Sequence, residues 1–387
     1  MTDLGSRNPK QQPGGVAYED GPRDNPGSGV DLWTLTLGIL GGVLLGTGVT
    51  FAILGFVGVF EEPTPPTIPP APTLTAPPPA GPPPTLGDEI TATQIAESVI
   101  PSTVFIEAST FIFGGSGSGV VFGSDGYILT NNHVIEGAGE LAVIFADGAR
   151  FPAKVVGSDP VTDLAVLLVQ RTDLSPISIG SSDGLVIGEP AIAVGNPLGL
   201  AGGPTVTFGI VSALNRSLDL SPGQTLYGLV QTDAPIAPGS SGGALVDAEA
   251  NLIGITTAIA VSDVGPEGLG FAIPIDLAVG VAQDLIETGT VNHARLGISV
   301  ETAWAPDGDA EYPVGLSVVD LRPPSAYELA GGQINDVIVE FEGIPITARD
   351  QLLAVLRRHR AGDVVDVRIL RADDEQTLQV ELASLSG

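Results

Sequence analysis

The sequence predicts an all-β domain followed by a small α+β domain, with one membrane-crossing helix ahead of both. Three observations carry that reading. Leu32 to Phe60 is a run of 29 residues without a charged side chain, set between Asp31 and Glu61. Residues 88 to about 290 divide into short apolar strands separated by Gly, Asp and Pro turns, the pattern of a sandwich or barrel. Residues 294 to 384 alternate as strands at Val314 to Leu321, Asp336 to Phe341 and Val364 to Leu370, around a helix-spaced stretch from Arg349 to Arg358.

Residues 1–31 are polar, rich in Gly and Pro, and lack periodic apolar positions, so they are expected to be disordered. The apolar run 32–60 would reach about 43 Å as a helix at 1.5 Å per residue, beyond the ~30 Å hydrocarbon core. A buried core helix is seldom so long or so free of charge on every face. A cleaved signal peptide would have an apolar region of about half this length, and Val57-Gly58-Val59-Phe60 lacks its small-residue cleavage pattern. Arg7, Lys10 and Arg23 precede the run and no Lys or Arg follows before Arg150. The positive-inside rule therefore places the N-terminus in the cytoplasm and the rest outside, a single-pass protein of the cell membrane. Residues 61–87 form a linker, with twelve prolines between 63 and 84. As a polyproline stalk it would hold the two domains off the membrane by up to ~70 Å.

Composition narrows the function. There is no cysteine, so neither disulfides nor a thiolate zinc site can hold the fold. Fifteen basic residues against forty-five acidic ones argue against nucleic acid as a partner. No metal or organic cofactor is implied.

Within 88–290, helical stretches at Ala92 to Ile100 and Ile275 to Ile286 bracket strands such as Val104 to Glu107, Leu141 to Phe145, Ala191 to Val194 and Asn251 to Ala260. Gly239-Ser240-Ser241-Gly242-Gly243 suits a tight turn exposing the Ser241 oxygen. One of only three histidines, His133, ends a strand-like run, and Asp163 opens another at Leu164 to Val169. The order His, Asp, Ser is one of the known orders of the catalytic triad, that of the chymotrypsin-type double β-barrel. In that arrangement Ser241 attacks a peptide carbonyl, His133 takes and returns its proton, and Asp163 fixes the histidine tautomer. The oxyanion would be received at Gly239, Ser240 and Ser241, chiefly by the N–H groups of Gly239 and Ser241. His293 and His359 have no comparable neighbours in sequence and are expected at the surface.

Thr130-Asn131-Asn132-His133-Val134-Ile135, Thr162-Asp163-Leu164-Ala165-Val166 and Pro238-Gly239-Ser240-Ser241-Gly242-Gly243 resemble the three active-site blocks of the HtrA/DegP family. Gly195-Asn196-Pro197-Leu198-Gly199, Thr205 to Ser212 and Gly268 to Pro274 are similar to its other recurring segments. The resemblance covers roughly residues 90 to 384. It implies a serine protease domain at 88–290 and a PDZ domain at 291–387, acting on unfolded or extended polypeptides in protein quality control and stress response. It further implies a homo-trimer and a preference for small to medium aliphatic residues at P1. Two other readings stand beside the enzyme: a chaperone-like binder, and an interaction protein whose PDZ domain acts on a silent protease scaffold.

In trypsin-like enzymes the residue six before the nucleophile floors the S1 pocket; here it is Pro235, with Asp233 two residues earlier. Ile253, Ile255 and Thr257 are expected as the remaining pocket walls. Ala237, Ser240 and Ala244 stand where the family usually has Asn, Asn and Pro. In the PDZ-like part, Leu296, Gly297 and Ile298 resemble the carboxylate-binding loop, and Leu352 and Leu356 are expected to line the groove for C-terminal peptides. Arg295 replaces the usual aromatic, and Asn335 stands where the family commonly has Gly. Arg357, Arg358 and Arg360 end the groove helix and suggest that it draws acidic tails.

Overall fold

The structure, a computed structural model, describes residues 91–387 apart from 110–113, 198–202, 222, 263–264, 308–309, 373 and 386–387. The expected disordered tail, membrane helix and proline stalk lie outside the described residues. Among the described residues no helix is long and apolar enough to cross a membrane.

A first helix, α1 (Ala92–Val99), opens with a capping box in which Thr91 and Gln94 satisfy each other's backbone N–H groups. It buries Ile95 and Val99. Six strands then close a barrel: β1 (Thr103–Ser109), β2 (Gly114–Val121), β3 (Tyr127–Thr130), β4 (Glu140–Ile144), β5 (Arg150–Asp159) and β6 (Leu164–Val169), in the order β1-β2-β3-β6-β5-β4. A one-turn helix, α2 (Asn132–Ile135), follows β3. The sequence made His133 the end of a strand; the strand stops at Thr130, and His133 sits in α2. Val104, Ile106, Val121, Ile128 and Leu167 fill this barrel and are fully buried.

A second closed barrel runs β10-β11-β12-β9-β8-β7, from β7 (Pro190–Gly195), β8 (Thr205–Ser221), β9 (Gln224–Thr232), β10 (Ala244–Val246), β11 (Leu252–Ser262) and β12 (Gly265–Pro274). The long helix α3 (Ile275–Thr288) buries Leu277, Ala278, Val281, Ala282 and Leu285, the 3–4 spacing of one helical stripe. That stripe packs on β5 and β6 of one barrel and β11 and β12 of the other. It seals the largest core cluster, which draws Val120, Leu129 and Leu164 from the first barrel and Val246, Leu252 and Ile255 from the second. Fully burying each such side chain contributes about 1.5–3 kcal/mol. The double barrel expected from the order His, Asp, Ser is present.

After α3 the chain makes β13 (Ala294–Arg295), β14 (Ile298–Asp307), β15 (Ala310–Leu321), the short α4 (Ala326–Leu329), β16 (Val337–Phe341), β17 (Ile344–Pro345), α5 (Arg349–Leu356), β18 (Val364–Arg371), β19 (Asp374–Glu381) and β20 (Ala383–Ser384). One sheet runs β14-β15-β16-β18-β19, which leaves β14 at an edge; β13 pairs with β20. Asn335, in place of the family's Gly, holds φ at 73°, a left-handed position that Asn tolerates better than most residues. The following Asp336 is buried and receives Tyr327 Oη at 2.8 Å and two Arg371 nitrogens at 2.7 Å. Burial alone would raise its pKa, but the bonds from Arg371, the Gln333 N–H and Tyr327 outweigh it and hold the carboxyl below its usual range.

Candidate active site and peptide groove

The Asp163 backbone adopts φ 58°, an uncommon conformation for a non-glycine residue, and its carboxylate is fully buried. Its Oδ2 lies 2.7 Å from His133 Nδ1 and accepts the Thr257 hydroxyl at 2.8 Å. Its Oδ1 accepts the His133 N–H at 3.0 Å, and its carbonyl accepts from Asn132 N and Asn131 Nδ2. Two bonds from one aspartate therefore fix both ends of the histidine. The imidazole itself stays 40% exposed, open to a substrate.

Ser241 approaches from the second barrel, on the turn before β10. Ala237 to Ser240 is closed by Ser240 N–H donating to the Ala237 carbonyl at 2.9 Å, with Gly239 at φ 94°. Pro then Gly with positive φ at the centre is the type II pattern, and Gly239 supplies the left-handed residue it requires. The Ser240 N–H is thus engaged in the turn, so of the three expected oxyanion residues only Gly239 and Ser241 keep an N–H outside these bonds. Gly242 is equally constrained: at φ 86° a Cβ would stand 2.1 Å from the Ser118 carbonyl. The Ser241 hydroxyl donates to the Thr257 carbonyl at 2.9 Å and makes no hydrogen bond to His133.

Side chains the sequence reading had not singled out hold this loop. Ser118, with 0% exposure, donates its N–H to the Ser241 carbonyl at 2.7 Å and its hydroxyl to the Gly239 carbonyl at 2.8 Å. The same hydroxyl accepts Asn196 N–H at 2.8 Å. Thr130 binds the Ser118 carbonyl and Thr256 the Ser240 carbonyl, each at 2.7 Å. Ser118 stands 121 residues from Gly239, so no local pattern in the sequence joins them.

The expected pocket walls divide. Pro235 lines a cavity of about 120 Å³ with Ile236, Ala237, Ser240, Thr205 and Thr207. Ile253 and Ile255, however, are barrel core at 1% and 0% exposure, where strand β11 is covered on both faces. Thr257 serves Asp163 and Ser241 instead. Asp233 is exposed and accepts the Ile210 N–H at 2.7 Å.

In the C-terminal domain Leu296, Gly297, Ile298, Leu352 and Leu356 come together along a groove of about 460 Å³ between β14 and α5. The three arginines at the end of α5 do not serve it in the way the sequence suggested. Arg358 reaches Asp183 at 2.7 Å and Arg360 pairs with Asp284, both in the double-barrel domain. Arg357 is desolvated against that domain, which lowers its pKa despite the attraction of Asp159 and Tyr227. Ser217 adds a hydrogen bond to Asp350 at 2.6 Å.

His293, expected at the surface, is 4% exposed, with Nε2 2.8 Å from Asp159 Oδ2. Burial would raise the Asp159 pKa, but bonds from His293, Thr162 and the Val161 N–H hold it below its usual range. His359 is half-buried and packs edge-on against Phe341 at 5.5 Å.

Two closed barrels, a His–Asp pair on one and a serine on a tight turn of the other, followed by an edge-strand peptide groove, define a trypsin-like serine endopeptidase with a PDZ domain. Residues 117–255 match the trypsin-like peptidase domain family and residues 294–382 the PDZ domain family. Serine protease PepD of Mycobacterium tuberculosis is 37% identical over 364 residues, covering 89% of this chain and 75% of PepD. The periplasmic pH-dependent serine endoprotease DegQ of Escherichia coli is 41% identical over 280 residues, 70% of this chain and 59% of DegQ. Among solved structures, the HtrA-type protease AlgW with a decapeptide superposes at a TM-score of 0.61 with 33% identity, covering 76% of this chain and 99% of that one. The chain belongs to the HtrA-type serine proteases.

Proposed function

We propose that this endopeptidase is anchored in the cell membrane by Leu32 to Phe60, faces outward, and cuts misfolded or regulatory proteins with Ser241 as nucleophile, His133 as general base and acid, and Asp163 as its orienting carboxylate. The observation that carries the roles is the 2.7 Å contact between His133 Nδ1 and Asp163 Oδ2, which leaves Nε2 for the nucleophile. Ser241 leaves the Thr257 carbonyl for Nε2 when a substrate is in place, and the N–H groups of Gly239 and Ser241 receive the oxyanion. The PDZ domain binds extended C-terminal segments by adding a strand to β14. The 29-residue uncharged run and the periplasmic location named for relatives such as DegQ support the outward-facing anchor; assembly as a homo-trimer is the corresponding expectation from the family. The test is labelling by an active-serine phosphonate, followed by peptide mapping of the modified residue. Label on Ser241 is expected, and an unlabelled protein that still cuts casein would overturn the assignment.

Substrate preference at P1 follows from charge. Pro235 offers no counter-charge to a basic side chain, which would be desolvated without compensation. Asp233 is turned to the Ile210 N–H. Cleavage is expected after Val, Ala, Ile or Leu, read by mass spectrometry of casein products; a dominance of Lys or Arg at P1 would show that Asp233 reaches the pocket.

Ser118 acts on the reaction through Gly239. Its hydroxyl fixes the Gly239 carbonyl, and so the peptide plane next to the one that carries the Gly239 N–H. Losing an oxyanion donor outright costs ~10²–10³ in rate, so loosening one is expected to cost ~10–100-fold. Ser118→Ala should lower kcat by that factor on a short peptide while KM stays within about threefold, the split of an interaction made chiefly in the transition state. An unchanged kcat in a protein with native melting behaviour would reduce Ser118 to a packing residue.

A further inference from the structure

We propose that the groove between β14 and α5 selects C-terminal tails that end in an apolar residue and carry Asp or Glu two or three positions before it. This rests on the reading of the groove as a site for C-terminal peptides and adds the chemical class of the ligand. The chain carries a net charge of −30, with fifteen basic residues in all. Three of the fifteen, Arg295, Arg322 and Arg349, line this one groove besides Arg357, which is desolvated against the double-barrel domain, and no Asp or Glu lines it. A positive trough on so acidic a surface attracts acidic ligands and repels basic ones.

The arrangement gives the register. The end of α5 is tied to the segment that enters the carboxylate loop, by Ala361 N–H to the Asn292 carbonyl at 3.1 Å and a bridge between His293 and Arg360. Leu356 therefore lies at the end of the groove that receives the last residue, beside Leu296. Arg322 is at the same end, since its N–H donates to the Gly297 carbonyl at 2.8 Å. Its side chain is 71% exposed, with Asp320 3.7 Å away. Arg349 starts α5, seven residues before Leu356, about 10 Å away at 1.5 Å per residue. A strand added to β14 advances ~3.3 Å per residue, so Arg349 faces a side chain about three positions before the last. Arg349 is exposed and makes no ion pair among the described residues, so its charge is open to a ligand in the groove. As the edge of its sheet, β14 keeps one row of N–H and C=O groups for the incoming strand. The apolar floor of Leu296, Leu352 and Leu356 then takes the terminal side chain.

The experiment uses the full-length Ser241→Ala protein in detergent, to keep ligands intact, and fluorescein-labelled hexapeptides ending in Val. Glu, Gln or Lys occupies the third and fourth places from the end, each peptide as free acid and as amide. Anisotropy is expected to show the Glu acid binding about tenfold or more tighter than the Lys acid, with Gln between, and the gap narrowing at ~0.5 M salt. Arg349→Glu is expected to reverse the order, with folding checked by melting. Equal affinities for Glu, Gln and Lys acids that all exceed their amides would overturn the acidic preference while leaving the C-terminal reading intact. Equal binding of acids and amides, or no binding at millimolar peptide, would overturn that reading too.

Discussion

Replacing Ser241 by alanine is expected to lower casein turnover by ~10⁴-fold or more, and His133→Ala by a similar factor. The two losses should not add, because the hydroxyl is useless without its base and the base without its nucleophile. The structure gives a reason to expect folded variants. Ser241 is only partly buried, and its hydroxyl bond is to the Thr257 carbonyl, a group whose loss of one partner costs about 1–3 kcal/mol at most. The turn is held by other atoms, chiefly the Ser118 N–H and hydroxyl and the Thr256 hydroxyl. Turnover by purified Ser241→Ala equal to that of the parent protein, after contaminating proteases are excluded, would remove Ser241 from the chemistry.

The resting position of Ser241 also bears on the proposed chemistry. In the proposed mechanism the hydroxyl turns from the Thr257 carbonyl towards His133 before it loses its proton. The loop that carries it is tied through Ser118 to Asn196, the residue after β7.

What could be read from the sequence obeys a physical limit of range. The barrel strands, the helix α3 and the groove residues carry their signals within a few neighbours, as alternation, as 3–4 spacing, or as a Gly-rich turn. The expected His133, Asp163 and Ser241 sit at the ends of such elements, where a change of pattern marks the position. Pairings across the fold leave no such trace. His293 read as a surface residue because its partner Asp159 is 134 residues away. Arg358 meets Asp183 across 175 residues, so a helix end that looked free for ligands joins the two domains instead. Ile253 and Ile255 alternate as a pocket wall would, and alternation alone cannot tell a wall from a strand covered on both faces. The groove keeps basic residues although Arg358 and Arg360 are drawn to the double-barrel domain. Arg322 and Arg349, 27 positions apart in sequence, reach the same groove only through the fold.

Asp163→Asn is expected to lower kcat by about 10⁴-fold at neutral pH with little change in KM. Three donors converge on the two carboxylate oxygens: the His133 N–H on Oδ1, and His133 Nδ1 and the Thr257 hydroxyl on Oδ2. An amide keeps the shape but offers only one acceptor oxygen. If its NH₂ takes the Oδ2 place, it faces Nδ1, which must then accept; the ring proton moves to Nε2, where a base is needed. If it takes the Oδ1 place, it opposes the His133 N–H and loosens α2. The first outcome retains a hydrogen bond to the imidazole, although the Thr257 hydroxyl must find another acceptor. The variant should therefore fold, at a cost of about 1–3 kcal/mol for the group left unpaired, and bind peptides normally. Steady-state kinetics on a short chromogenic peptide, beside a thermal melt, separates the effects. A kcat within tenfold of the parent in a natively melting protein would mean that Asp163 does not set the tautomer of His133. A loss of binding with kcat intact would place it in substrate recognition instead.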